Sequence, residues 1–447
     1  MKNKLKLPAL LLSLVIMLTV IPYGVAAESA STVWGGNEVP GLVRGVYDLN
    51  EDGTKEDVYE IATAAQLEWF ARYVNSNHKK SNAVLVADID LSGYTHTPIG
   101  VNYSDFEGIF DGMGYTVKNM NFTCTENGHY QHLETNYQGL FGVIRSGAVV
   151  RNFTLYGTIT VASSNIYYIG GAVGLAYESS VISNVNSYVN ITDGGNSQSE
   201  INSVGGIVGR AGNKNNTTPA TVQNCRYYGS ISLQKLTSGL EIGGIAGSAV
   251  CESNVLNCEN RGNVSVGTAG HVAGVVGAAQ SGSKIKASAN YGKVTVACHN
   301  CVGGIAGYAN ENVLIDGCVN AGKVSAKMSD TTVVILGGIL GYINNSDFAG
   351  LTDCFNYGSI TAETGAKDHT GAIVGWVRDT GSVSKITGNY WRTGSCSTAY
   401  GSGGNQPTAP TAASVITSSA TLLKNSWYIA QGTVTINSRL PVNDEVP

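Results

Sequence analysis

Gly139-Leu140-Phe141-Gly142 opens a series that runs through most of the chain. The same frame, Gly-apolar-apolar-Gly, returns at 171–174, 206–209, 244–247, 274–277, 304–307 and 338–341, and closes as Ala372-Ile373-Val374-Gly375. The steps between first positions are 32, 35, 38, 30, 30, 34 and 34 residues. Five copies, beginning at 170, 205, 243, 303 and 337, carry a second Gly ahead of the apolar pair. A second block follows each frame, first as Asn152-Phe153-Thr154-Leu155-Tyr156-Gly157-Thr158-Ile159-Thr160-Val161. Later copies run from Asn224 to Leu233, Asn257 to Val266, Cys318 to Ala326 and Cys354 to Ala362. Their ends alternate apolar residues with Ser or Thr at period two, the pattern of a strand with one buried face.

A period near 33 also fits helical repeats, which need amphipathic helices of ten or more residues. Here Gly, Val, Ile, Ser and Thr dominate, and helix formers are scarce. Each repeat supplies about three short strands between Gly or Asn turns. Stacked repeats of this kind make a parallel β-helix, in which strands of successive coils pair. At ~4.8 Å between paired strands, eight coils span roughly 40 Å. The stack predicts aligned rows. Ile159, Ile191, Ile231, Val264, Val294, Val324, Ile360 and Cys396 form one interior row. Phe153, Val185, Cys225, Cys258, Ser288, Cys318 and Cys354 form another. Thr160, Thr192, Ser232, Ser265, Thr295, Ser325, Thr361 and Ser397 form an outward one. The glycines are expected to serve tight turns with positive φ.

Composition bounds the alternatives. The 447 residues include 57 Gly but only 9 Pro, and 13% are charged. Low charge with ample apolar material excludes an intrinsically disordered chain, and the absence of a Gly-X-Y period excludes collagen. Residues 1–27 read as a secretory signal. Lys2, Lys4 and Lys6 form its basic region, Leu10 to Ile21 its apolar core, and Val25-Ala26-Ala27 a cleavage site near Ala27. Without those three lysines the balance is 24 basic against 32 acidic residues, a net of −8. Nucleic acid is therefore not an expected partner. No second run of ~20 apolar residues occurs, so no transmembrane segment is expected in the mature chain.

Both ends of a β-helix need cover, because bare strand edges aggregate. Thr63-Ala64-Ala65-Gln66 fits a capping box, with Leu67, Phe70, Ala71 and Val74 following at helical spacing. A short helix over 63–74 is predicted to cap the first coil, with first strands over 84–91 and 106–122. Residues 401–414 read as a Gly/Pro/Ala/Ser-rich linker, with Leu422, Leu423, Trp427 and Tyr428 as C-terminal cap residues. The organisation is then a signal (1–27), an opening and capping segment (28–122), the Gly-rich repeats (123–400), and a linker with a cap (401–447). The fold class is all-β: a right-handed parallel β-helix with a short N-terminal capping helix and a C-terminal cap.

The repeats resemble the GLUG motif of bacterial surface proteins. The opening segment is similar to theirs as well: Tyr59-Glu60-Ile61, Gln66-Leu67, Asp88-Ile89-Asp90-Leu91, Pro98-Ile99-Gly100 and Phe106-Glu107-Gly108-Ile109-Phe110-Asp111-Gly112. The resemblance covers roughly residues 58 to 395. It implies an exported, adhesin-like β-helix of the bacterial cell surface. Some relatives accompany IgA-cleaving metalloproteases, but no His-Glu-x-x-His stretch exists here, so that chemistry is not carried over.

Three sets of residues are candidates for chemistry. Asp88 and Asp90, at i and i+2, share one side of a strand, and Asp111 follows. Such carboxylates serve glycoside hydrolysis or Ca²⁺ binding, or are simply solvated turn residues. Asp48, Asn50, Asp52 and Gly53 begin like a Ca²⁺ loop, but Tyr59 stands where a bidentate Glu is needed. Tyr156, Tyr188, Tyr228, Tyr291 and Tyr357 share one repeat position, interrupted by Arg261 and Ala321. They form either an outward strip that grips a glycan or a host or cell-surface protein, or side-by-side packing that stiffens a turn. Of nine cysteines, the four in the interior row read as small buried hydrophobes. Cys298 and Cys301 are spaced for a local disulfide. No metal or cofactor is expected. The functional expectation is a non-enzymatic adhesion or ligand-binding scaffold. The alternatives are a polysaccharide lyase or glycoside hydrolase, and a purely structural envelope component.

Overall fold

The computed structural model describes residues 42–401 and 413–416, except 95, 102, 125–136, 163–167, 195–200, 214–217, 236–240, 269, 299–300, 328–332, 363–366 and 393. The signal segment and the cap residues Leu422, Leu423, Trp427 and Tyr428 lie outside the described residues. The architecture is a parallel β-solenoid. Two faces are eight-stranded parallel sheets. One is built from strands such as Tyr168–Gly170, Glu241–Gly243 and Cys301–Gly303. The other uses strands such as Val173–Ala176, Ala246–Ala249 and Ala306–Asn310. The Gly-apolar-apolar-Gly frame is the corner between them. The remaining strands of every coil join one larger sheet.

The interior row has the expected register. Ile191 pairs with Ile159 and Ile231, and the row continues through Val264, Val294, Val324 and Ile360. All seven side chains are buried, and Cys396 packs against the same core. The Ser/Thr row lies one residue on and is half-exposed until Thr361, which is exposed. Alternation at period two is what places neighbouring residues on opposite sides of the sheet. Cys225, Cys258, Cys318 and Cys354 are buried and unbridged. The side chain of Cys298 lies outside the described residues.

The N-terminal end begins with β1 (Val43–Tyr47), antiparallel to β2 (Glu56–Ile61). Helix α1 (Ala64–Asn75) follows. Thr63 Oγ1 accepts from the Gln66 backbone N–H at 3.2 Å, while Gln66 Oε1 accepts from the Ala62 N–H at 2.7 Å. The second bond reaches one residue before the N-cap, so the capping box is offset. Leu67, Phe70, Ala71 and Val74 are buried, and the Phe70 ring meets Phe106 and Phe110 at 6.3 and 6.4 Å. The helix thus closes the N-terminal end of the solenoid, where β3 (Asn82–Leu85) and β4 (Ile89–Asp90) of one coil pair in parallel with β5 (Ile109–Asp111) and β6 (Thr116–Cys124) of the next. Asp88 precedes β4 and is not part of it.

The glycines of the frame do not serve positive φ; none of them has it. They serve close approach instead. A Cβ on Gly244, Gly274, Gly304 or Gly338 would strike the side chain of Asn260, Asn290, Asn320 or Asn356, respectively. Those four asparagines form a buried ladder. Asn260 Nδ2 donates to Asn290 Oδ1 (2.7 Å), Asn290 to Asn320 (2.8 Å) and Asn320 to Asn356 (2.8 Å). Each also donates to the carbonyl of the Gly two residues on, at 2.9 to 3.0 Å. Buried amides persist only when so satisfied. Positive φ belongs to another aligned row: Asn152, Asn184, Asn224, Asn257, Ala287, Gly317, Asp353 and Gly388. Asn tolerates that region better than most residues because its short polar side chain bonds locally. Here Asn184 Nδ2 donates to Asn152 Oδ1 (3.0 Å) and Asn257 to Asn224 (2.5 Å).

Candidate functional site

The tyrosine row lies one residue beyond the buried ladder, so the sheet turns it outward. Tyr156 is 41% exposed, and Tyr188, Tyr228, Tyr291 and Tyr357 are half-buried. Tyr156 and Tyr188 stack at 4.5 Å between centroids and 11° between planes, and Tyr188 and Tyr228 at 4.6 Å and 6°. The coil spacing imposes this, since it matches the thickness of stacked rings. Within this stack the ring faces meet one another. Edges and hydroxyls are what it turns to solvent. Burial raises the Tyr188 phenol pKa, with its neighbour Tyr156 adding to the shift.

Arg261 interrupts the row and lays its guanidinium over Tyr291, 4.7 Å from the ring centre. Arg392 covers Tyr357 in the same way at 4.3 Å. Tyr291 and Tyr357 also pack, with Tyr390, on a small outer cluster of Ala289, Val319 and Phe355. The row is therefore two units: a three-ring stack, and two rings braced by arginines with Ala321 between them.

The aspartates do not converge on one site. Asp111 is buried; its Oδ2 receives Arg151 Nε at 2.6 Å, and Asn152 Nδ2 reaches both oxygens at 3.0 and 3.1 Å. Its Oδ1 also takes the Met113 backbone N–H at 2.8 Å. The Arg151 and Asn152 contacts tie the coil of β5 to the next one. Asp88 and Asp90 are both exposed, in keeping with their spacing. Asp88 accepts from the Thr116 N–H at 2.9 Å and lies 3.6 Å from Lys118 Nζ. Asp90 Oδ1 accepts from Asn119 Nδ2 and from the Ser92 hydroxyl and N–H, and these bonds pull its pKa down to about 2. Two open surface depressions, one along 77–81 with Glu107 and one along 113–114, 152–154, 184 and 186, include none of the three.

The acidic turn after β1 is held by its own chain. Asp48 accepts from the Asp52 and Gly53 N–H groups, and Glu56 from Leu49 N–H and Asn50 Nδ2. Among the described residues no group of three or more His, Cys, Asp or Glu is arranged to hold a metal ion.

Sequence reading passed over two features. One is the Asn ladder, announced by Asn-x-Gly at 260, 290, 320 and 356. The other follows the frame's last Gly in three consecutive coils. Tyr308, Tyr342 and Trp376 stand in register on the outer face of their sheet, each two residues before Asn310, Asn344 or Arg378. A recurring Gly-aromatic-apolar-polar tetrapeptide was its signal.

No protein-family model matches the chain. A protein of Evansella cellulosilytica described as a "Putative Gly-rich membrane protein" is 35% identical over 140 residues, which is 30% of this chain and 15% of that one. The chain thus matches less than a sixth of that relative's length. Among solved structures, a "putative immunoglobulin A1 protease" from Bacteroides ovatus is similar with TM-score 0.43 and 21% identity, over 65% of this chain and 85% of that one. An "IgA1 Protease" is similar with TM-score 0.47 and 14% identity, over 76% of this chain and 22% of that one. Among the described residues, no helix is long and apolar enough to cross a membrane.

Proposed function

We propose that this chain is an exported bacterial surface β-solenoid that acts as a non-enzymatic binding scaffold, engaging a glycan or a cell-surface protein along its tyrosine row. The observation that carries the reading is the register of Tyr156, Tyr188 and Tyr228. Their aligned edges and hydroxyls on successive coils form an extended amphipathic ledge, which a repetitive partner engages at several weak points at once. The signal-like first 27 residues and the GLUG-like repeats support export. The carboxylates that an enzyme would need are engaged in turns and coil-to-coil ties.

The test is a glycan array together with pulldown against surface and matrix proteins, using the protein, a Tyr228→Ala/Tyr291→Ala variant and an Asp88→Asn/Asp90→Asn variant. The expected result is a ligand whose binding falls with the tyrosine pair and is unchanged by the aspartate pair. Release of reducing ends from a polysaccharide, abolished by the aspartate pair, overturns the reading in favour of an enzyme.

A further inference from the structure

The structure assigns a second binding face, separate from the tyrosine row, to the outer surface of the sheet that carries Tyr308, Tyr342 and Trp376; we infer that it takes an uncharged polysaccharide chain lying along the solenoid axis. The three rings stand on consecutive coils, 5.7 Å and 6.1 Å apart between centroids. Unlike the stack at Tyr156, neighbouring rings are inclined by 47° and 68°. They do not close one another's faces. His271 stacks on one face of Tyr308 at 4.2 Å and 22° and covers it, and His369 meets Trp376 edge-on at 4.2 Å, so rings from the adjoining sheet flank the row at both ends and Tyr342 and Trp376 are its main contact rings.

A polar rail runs beside the rings. Asn310, Asn344 and Arg378 lie two residues on from the rings, the last two just past their strand ends, where their N–H groups still bond the preceding coil, hence on the same face. Asn344 Nδ2 donates to Asn310 Oδ1 at 3.2 Å. Asn344 Oδ1 accepts from the Tyr342 hydroxyl at 3.1 Å and from Arg378 at 2.8 Å. Each coil therefore offers one ring and one side-chain hydrogen-bonding group. A pyranose matches that pair: its C–H face covers a ring and its hydroxyls reach the amides.

Two facts select the ligand class. The backbone groups of these strands are consumed by the parallel ladder, so a peptide cannot add to it as a further strand, and recognition must come from side chains. The segments 306–310, 340–344 and 374–378 contain no carboxylate and a single cation, Arg378, which is bonded to Asn344; the adjoining Glu311 and Asp379 set two negative charges against it, a near balance that leaves the face without a strong field of either sign. Electrostatic complementarity thus favours neither a polycation nor a polyanion. His271, neutral because burial lowers its pKa to about 4, adds no charge.

Affinity electrophoresis of the full protein through gels containing xylan, galactomannan, mixed-linkage glucan, dextran or polygalacturonate tests this. At least one neutral polymer should retard the protein. Tyr342→Ala with Trp376→Ala should weaken that retardation about tenfold, and Asn344→Ala, which leaves the rings in place, should weaken it too. Retardation that falls with Tyr228→Ala and Tyr291→Ala but not with Asn344→Ala or the ring pair assigns the polymer to the tyrosine row and overturns the inference. Melting curves show whether each variant is folded, and Asn344→Ala carries the test if the ring variant is not. Retardation by none of the neutral polymers, retardation by polygalacturonate alone, or retardation indifferent to Asn344→Ala and the ring pair overturns the inference.

Discussion

The space that a Cβ on Gly274 would occupy is filled by the side-chain amide of Asn290 in the same coil. The frame glycine and the ladder asparagine are thus one device: the first makes room, and the second fills it with a bonded amide. Gly274→Ala should destabilise the protein by about 1–3 kcal/mol through overpacking. Asn290→Ala should cost about 1–3 kcal/mol, because it leaves Asn320 Oδ1 without the donor it has now. Combined, the two should cost less than their sum by about 1 kcal/mol, since truncating the Asn290 side chain vacates the space that the new Cβ needs. Strict additivity in denaturant titrations would show that the contact does not set the glycine requirement.

Ile231 and Ser232 are neighbours with opposite environments, one buried and one half-exposed. Ile231→Asp places an unpaired carboxylate in the core and should cost several kcal/mol. Ser232→Asp should stay within about 1 kcal/mol of the parent. Equal melting temperatures would mean that the register is off by one residue.

Ala287 holds φ at 49°, in a row otherwise occupied by Asn, Asp and Gly. The left-handed region costs a residue with a Cβ about 1–2 kcal/mol. Ala287→Asn should recover part of that cost, about 0.5–1 kcal/mol, and extend the amide chain that Asn257 begins with Asn224. A lower melting temperature for this variant would contradict the account.

His96 is buried beside Phe122, and its Nε2–H donates to the Gly139 carbonyl at 2.9 Å. Burial lowers its pKa to about 4 from the ordinary 6.5. The unfolded chain therefore takes up a proton below pH 6.5 that the folded chain refuses until about pH 4. Stability is full above pH 6.5 and is lost as pH falls through that window, by about 3 kcal/mol at most from this residue. His96→Gln should flatten the fall of melting temperature between those pH values. An unchanged slope would assign the acid sensitivity elsewhere, with His271 next to test.

Much of the solenoid was legible in the linear pattern because a stack repeats itself. Residues such as Ile231 and Val264 are in register only because each coil returns the chain to the same place, so a period in sequence becomes a row in space. The helix start at Thr63, the alternation at Ile231 and Ser232, and the buried cysteines followed from local chemistry and hydrophobic period, whereas the offset of the capping box did not. The role of the frame glycines did not. Positive φ and close approach both ask for Gly, and only the position of Asn290 tells them apart.

The sequence by itself determined that this chain builds stacked β-strands, which residues line the interior, and where a helix closes the first coil, because period, propensity and capping are local properties. Only the tertiary structure decided what the outward rings do. Ring spacing along the axis is set by strand pairing, but ring inclination is set by neighbours from other coils and the adjoining sheet. Tyr156, Tyr188 and Tyr228 close on one another, whereas Tyr308, Tyr342 and Trp376 lean apart beside His271 and His369. Residues about 30 positions apart settle that difference by contact, and no local pattern records it.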